Sequence, residues 1–293
     1  MHLSAATCAP LVPIRDADGH KGTFGTLVCV CGSLDYAGAA LLCGMAAARA
    51  GAGLVALAVP ASLQPVVAGR VPELVTIGLP ETEGGLDIDP RESGHALNAK
   101  SADALVVGCG LRESEGSREL VVGLVAREGS PMVVDGGALN LLSRSGEWWS
   151  AARRECVLTP HPGEFERLMG TPAGASDGER LTSATRAAER FGQVVVLKGA
   201  RTVVAAPDGR TASAPFANAA LATAGSGDVL AGTIGSLLAQ GVAPFDAACL
   251  GVYLHGRAAE RVSERVGDSG LLASDLPYEI ALARRELVAQ GPR

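Results

Sequence analysis

Phe216 to Gly235 reads FANAALATAGSGDVLAGTIG, and the reading of this stretch decides that of the chain. Ala224-Gly225-Ser226-Gly227 is a tight turn of small residues; Asp228 follows, and Val229, Leu230, Ala231, Ile234, Leu237 and Leu238 continue as an apolar helical run. Glycines let backbone N–H groups approach a ligand, and the first turn of a helix leaves its N–H groups without carbonyl partners. Gly225, Ser226 and Gly227 therefore form a candidate anion hole, most naturally for phosphate. Asp228 would stand beside that phosphate, placed to take a proton from an attacking hydroxyl. A second reading fits the same residues: a glycine-rich loop before a core helix, with Asp228 as its N-cap.

Composition narrows the choices. A chain of 293 residues that is 47% hydrophobic buries a large core as one domain or two. A formal charge of -6 with no basic block argues against a nucleic-acid surface, and 3% aromatic content argues against binding of single strands by stacking. The seven cysteines (Cys8, Cys29, Cys31, Cys43, Cys109, Cys156 and Cys249) are odd in number and scattered, so no disulfide framework is expected and a reducing cytoplasm is the default. Cys29 and Cys31 alternate along an expected strand as small core residues. No segment reads as a signal peptide or a membrane span.

From its start the chain alternates strand and helix. Residues 1–21 are read as an irregular lead-in, and His20 to Gly25 (HKGTFG) delivers the chain to the strand Thr26 to Cys31. A turn at Gly32-Ser33 and a small-residue helix from Ala37 to Ala50 follow, without the G-x-G-x-x-G fingerprint of dinucleotide folds. Further strands are expected at Leu54 to Val59, Val75 to Leu79, Ala104 to Val107, Pro131 to Val134 and Cys156 to Thr159, with helices between them. Pro80 to Arg91 is read as a surface connection and His95 to Ser101 as a helix. Several strands end in glycines or acids (Gly108-Cys109-Gly110, Asp135-Gly136-Gly137), and that edge of an open α/β sheet is where ligands bind. Trp148 and Trp149 are expected to face different ways.

His161 sits between Pro160 and Pro162, which restrict its backbone, so it reads either as a ligand contact or as a structural histidine. It shares no metal-ligand spacing with the other histidines, so no protein-held metal is expected. Val194 to Leu197 and Val203 to Ala206 form a strand-turn-strand unit. Its turn, Lys198-Gly199-Ala200-Arg201-Thr202, offers a lysine and backbone N–H groups to a nucleotide, unless Lys198 is merely a solvated turn residue. The tally is about nine strands in one doubly wound sheet, a single domain over 1–293.

Eight segments in order, HKGTFG, GSLDYAGAALL, VVGCGL, LTPHPGEFERL, VVLKGARTVV, LATAGSGDVLAG, VYLHGRAAE and GLLASDL, resemble those of the ADP- or ATP-dependent NAD(P)H-hydrate dehydratases. That resemblance covers nearly the whole chain and implies a ribokinase-like α/β fold, with a mostly parallel central sheet flanked by helices. It implies repair of hydrated NADH or NADPH: phosphorylation of the added hydroxyl, usually by ADP in bacteria, and its loss as phosphate, leaving AMP. It places Asp228 at the reacting hydroxyl and Gly227 in the anion hole. Lys198, Gly199, Ala200, Arg201 and Thr202 would bind the adenine nucleotide; Ala40, Gly110 and His161, with Asp228, would line the hydrated-dinucleotide pocket. It also implies Mg²⁺ held mainly through phosphate and water, a separate epimerase acting in the same pathway, and a homo-oligomer, often a tetramer.

The chain departs from the family's usual wording at four positions. Cys109 stands for a proline, Ala224 for a glycine, Gly136 for an alanine and Ala217 for a glycine. An N-terminal epimerase domain, common in the family, is not expected, because the dehydratase-like pattern starts by His20. The rivals are a small-molecule kinase on the same fold and a non-enzymatic nucleotide-binding protein; the missing fingerprint disfavours a dehydrogenase.

Overall fold

Parallel strands covered on both faces must be apolar along their whole length, and Ala104–Val107 (β4) and Val194–Leu197 (β7) are buried throughout. The computed structural model describes residues 1–82, 87–98 and 101–290. The strands are Thr26–Val30 (β1), Leu54–Pro60 (β2), Val75–Leu79 (β3), β4, Met132–Val134 (β5), Cys156–Leu158 (β6), β7, Val203–Ala205 (β8) and Thr211–Ser213 (β9). They form one sheet in the order β3-β2-β1-β4-β5-β6-β7-β8-β9. Pairing is parallel as far as β7 and antiparallel across β7-β8 and β8-β9. The expected doubly wound sheet and strand-turn-strand unit are both present.

Because side chains alternate across a strand, the sheet divides its apolar residues between two cores. Leu27, Cys29, Val106, Val133, Val157 and Val196 face one; Val28, Val30, Leu105, Val107, Val134 and Val195 face the other. The first core is closed by the helices Ala37–Ala50, Ser226–Ala239 and Pro244–Val266, and the central one of these is buried at every residue from Val229 to Ala239. Small residues let these helices approach closely. A methyl on Gly232 would lie 2.1 Å from the Cys43 carbonyl oxygen, and one on Gly235 would lie 2.3 Å from Val106.

Four local readings change. Residues 1–21 are not wholly irregular. The Leu3 N–H donates to the Ser213 carbonyl, Ser4 caps the short helix Ala5–Cys8, and both Leu3 and Cys8 are buried in the first core. This apolar anchor is short, and its pattern is hidden among prolines. The focal helix begins at Ser226, with Gly225 as its N-cap in a left-handed conformation (φ 89°), so Asp228 lies inside the first turn and is not the cap. Trp148 and Trp149 meet edge to face at 5.9 Å and both pack 5.3 Å from Phe191. The helix expected over His95 to Ser101 is Pro90–Asn98, and residues 99–100 of that expectation, like residues 83–86 of the expected connection, lie outside the described residues.

The helix contact yields the first prediction. Gly232→Ala should destabilise the protein by about 2–4 kcal/mol, because backbone cannot yield as a side chain does. Urea unfolding of the two proteins checks it; equal midpoints would contradict the packing described.

Candidate active site

The parallel strands deliver their C-terminal ends to one edge, and chemically active groups collect there. Asp135 follows β5, Thr159 follows β6 and Lys198 follows β7. The Lys198 Nζ and the Thr159 hydroxyl each lie 2.6 Å from Asp135 Oδ1, and Asp135 is only 3% exposed. Lys198 also stands 3.9 Å from Glu164 Oε2. Burial works against the lysine charge, but Asp135 and Glu164 outweigh it and hold its pKa above the ordinary value. Lys198 is thus not a solvated turn residue. Its N–H donates to the Pro160 carbonyl, and the Arg180 guanidinium donates to the carbonyls of Leu197 and Lys198, which fixes the turn.

Glu164 arrives through a reciprocal cap on the helix Pro162–Met169. His161 Nδ1 accepts from the N–H groups of Gly163 (3.0 Å) and Glu164 (3.3 Å), while Glu164 Oε2 accepts from the His161 N–H at 2.8 Å. Since Nδ1 is an acceptor, the neutral ring carries its proton on Nε2, which lies 3.4 Å from Glu164 Oε1. Burial, then the charges of Lys198 and Arg167, lower the His161 pKa and favour that neutral form. The histidine therefore orders the helix start as well as bordering the cleft.

Asp228 enters from the opposite side, on the first turn of Ser226–Ala239. Its carboxylate, that of Asp135 and the Cys109 sulfur have atoms mutually within 4.8 Å. Burial is the main cause, and Asp135 the second, of a pKa raised to about 7. Burial likewise raises Glu164 to about 7, with the Asp135 charge adding to it and Lys198 opposing it. One ammonium cannot neutralise three carboxylates, so two of the acids hold their protons up to neutrality. A carboxylate poised there is suited to proton transfer.

A cavity of 650 Å³ opens beside these groups. Of the residues expected to bind ligand, His161, Lys198, Gly199, Ala200, Thr202, Ser226 and Gly227 line it. A methyl on Gly227 would meet Lys198 Nζ at 3.2 Å, so the ammonium stands close against the backbone of this turn. Arg201 is not brought in; its exposed guanidinium pairs with Asp177 at 3.4 Å. Gly225 lies behind the loop, where an added methyl would strike Leu42 at 2.5 Å. Ala40 is fully buried and Gly110 packs over Ala39 and Tyr36, both at the β1-β4 end of the sheet beside a separate shallow cleft that includes Gly32, Ser33 and Leu111.

Three residues were not singled out from the sequence. Asp135 and Glu164 complete the charge cluster, and an acid closing a buried strand was the available signal for Asp135. His255 also lines the cavity. Its Nε2 lies 3.0 Å from the Ser226 carbonyl, and burial pushes its pKa down to about 4, so the neutral ring donates that hydrogen bond and pins the turn at Ser226.

Comparison with known proteins decides the affiliation of this site. The sequence profile of the NAD(P)H-hydrate dehydratases matches residues 27–281. The chain belongs to that family. It is 41% identical over 89% of its length to the ADP-dependent (S)-NAD(P)H-hydrate dehydratase of Neisseria meningitidis, of which it spans 86%. It is 42% identical over 99% of its length to the bifunctional NAD(P)H-hydrate repair enzyme Nnr of Moorella thermoacetica, but spans only 56% of that protein. The crystal structure of the ADP/ATP-dependent NAD(P)H-hydrate dehydratase of Bacillus subtilis, co-crystallised with ATP and Mg²⁺, superposes with a TM-score of 0.83 at 30% identity, covering 97% of each chain. A ribokinase-like superfamily protein of Enterococcus faecalis, 23% identical, shares the fold with a TM-score of 0.81 over 98% of this chain and 95% of its own. The ribokinase-like expectation stands. Among the described residues no helix is long and apolar enough to cross a membrane.

The raised acids set a pH dependence. Unfolded, Asp228 releases its proton near 3.8, whereas folded it holds it to about 7. Between those values the native state binds more protons than the unfolded state, so this group lowers stability as pH rises, and its full penalty stands above about pH 7. Asp228→Asn should therefore be more stable than the wild type at pH 8, by roughly 1–3 kcal/mol, and the gap should close towards pH 4. Urea unfolding at both pH values tests this; a gap independent of pH would refute it.

Proposed function

We propose that the protein is an ADP-dependent (S)-NAD(P)H-hydrate dehydratase, a lyase that repairs hydrated NADH or NADPH. The observation that carries the reading is Asp228: a carboxylate with a pKa of about 7, on the first turn of a helix whose Gly227 borders the cavity. In this reading ADP occupies that cavity against the turn Lys198 to Thr202, with its terminal phosphoryl group at the N–H groups of Gly227 and Asp228. The lost intrahelical bonds of the first turn supply donors to the oxygens that carry charge during transfer. The hydrated nicotinamide approaches from the side of Ala40, Gly110 and His161.

Asp228 takes the proton from the added hydroxyl as its oxygen bonds to phosphorus and the bond to AMP breaks. Hydroxide is a poor leaving group and phosphate a good one. The C–O bond then breaks with its electron pair going to phosphate, a ring proton is lost and the ring double bond is restored. Lys198 holds Asp135 in place, and its positive field lies 3.2 Å from a methyl-sized space at Gly227, where it favours the transferred phosphoryl group.

The donor set fits Mg²⁺ in that the Asp228 and Asp135 carboxylates are hard oxygen donors beside the anion loop, while the Cys109 sulfur is not a ligand for it. Bound there with water and phosphate oxygens, the ion would neutralise phosphate charge. Self-association, an epimerase provided by a separate protein and a cytoplasmic setting belong to the same proposal; seven free, buried cysteines suit a reducing compartment.

The test mixes purified protein with hydrated NADH, Mg²⁺ and either ADP or ATP. Recovery of the near-ultraviolet absorbance of reduced nicotinamide, with AMP and phosphate formed from ADP, is expected. Asp228→Asn should keep ADP affinity and lose about 10²–10⁴-fold in turnover. No recovery with either nucleotide, or a stable phosphorylated product, would replace this reading with that of a small-molecule kinase.

A further inference from the structure

Beneath the carboxylates lies a cluster of thiols that the proposed chemistry does not use. Cys31 follows β1, Cys43 is in the middle of the helix Ala37–Ala50, and Cys109 sits in the loop after β4. All are fully buried, all are free, and their sulfurs lie within 4.8 Å of one another. The cluster forms where the sheet changes direction: β1 and β4 are neighbours, but the chain leaves them towards opposite edges.

We propose that Cys31, Cys43 and Cys109 form a binding site for a thiophilic d¹⁰ divalent cation of the Zn²⁺ or Cd²⁺ class. An ion about 2.3 Å from each sulfur needs sulfurs about 3.8–4.0 Å apart. The sulfurs already lie within 4.8 Å of one another, so an ion at the centre draws each inward by about half an ångström at most. Hard ions such as Mg²⁺ prefer the oxygens above, whereas thiolates select soft metals, so the two sets of donors sort ions by chemistry. A fourth ligand is at hand, because Cys109 also lies within 4.8 Å of the carboxylates of Asp135 and Asp228. Asp228 is only half buried, so the donor set extends from the fully buried thiols towards solvent.

Binding is an exchange without redox change. Three S–H bonds break, their protons pass to solvent, and three sulfur–metal bonds form. Burial raises the Cys31 pKa well above that of a free thiol, and Cys43 and Cys109 are raised chiefly by neighbouring thiols. The trio is therefore neutral until a cation displaces the protons.

The experiment titrates Cd²⁺ into the full-length, fully reduced protein while following the ultraviolet sulfur-to-metal charge-transfer band, with native mass spectrometry for stoichiometry. One ion per chain, displaced by excess Zn²⁺, is expected. Cys43→Ala and, independently, Cys31→Ala should weaken binding about tenfold or more, with circular dichroism confirming that each is folded. Cys156→Ala and Cys249→Ala, which alter thiols in other parts of the core, should bind as the wild type. Absence of the band from the wild type, or its full retention in folded Cys43→Ala or Cys31→Ala, overturns the proposal. So does its loss in Cys156→Ala or Cys249→Ala.

Discussion

The buried ammonium of Lys198, bonded to Asp135 and facing Glu164 and Asp228, is the constraint around which the site is arranged. A buried ion pair repays its desolvation only where geometry is good and the remaining lone pairs are satisfied. Here the Thr159 hydroxyl takes one of those positions, and the backbones of three neighbouring strands fix the partners. The pair cannot also neutralise two further acids. Burial first, and then the charge of Asp135, leaves Glu164 and Asp228 titrating near neutrality. The acidity of the site thus follows from burial and from the charges that the sheet brings together.

The helix that carries Asp228 packs against its two neighbours through glycines. Gly232 against Cys43 and Gly251 against Ile234 remove the side chains that would hold the helices apart. His255, from the adjacent helix Pro244–Val266, then fixes the Ser226 carbonyl and with it the loop. Core packing and site geometry are here the same contacts.

The alternation of strand and helix, the turn before the focal helix and the edge where the charged groups collect were legible because each has a local signal: continuous apolar runs, a Gly-Ser-Gly turn before an apolar helix, strands closing in glycine or acid. The burial of Lys198 was not, since a lysine in a turn reads the same whether it meets water or a carboxylate, and Asp135 lies 63 residues away in sequence. Arg201 shows the converse. It adjoins cavity-lining residues in sequence but projects to Asp177, because alternate positions of a turn need not share a side. The anchoring of residues 1–13 was hidden for another reason: Leu3 and Cys8 are apolar positions too few to show a period, and the Leu3 bond to β9 and the burial of both in the first core give them a place.

The same limit explains the cysteines. Read along the chain, Cys29 and Cys31 are alternating core residues, and they are indeed buried on one face of the sheet. Their alternation directs Cys31 to the face covered by Ala37–Ala50, which supplies Cys43, and beyond the parallel pairing of β1 with β4 the Gly32 N–H donates to the Cys109 carbonyl, which brings Cys109 beside it. Where the resemblance leads one to expect a proline, this chain has a thiol that reaches the Asp135 carboxylate at 3.8 Å. A proline ring there could neither donate to a carboxylate nor approach other thiols as a ligand. A single replacement thus joins two groups of otherwise separate chemistry, the oxygen donors facing the cleft and the sulfur donors beneath them. The register of two adjacent parallel strands makes that junction possible.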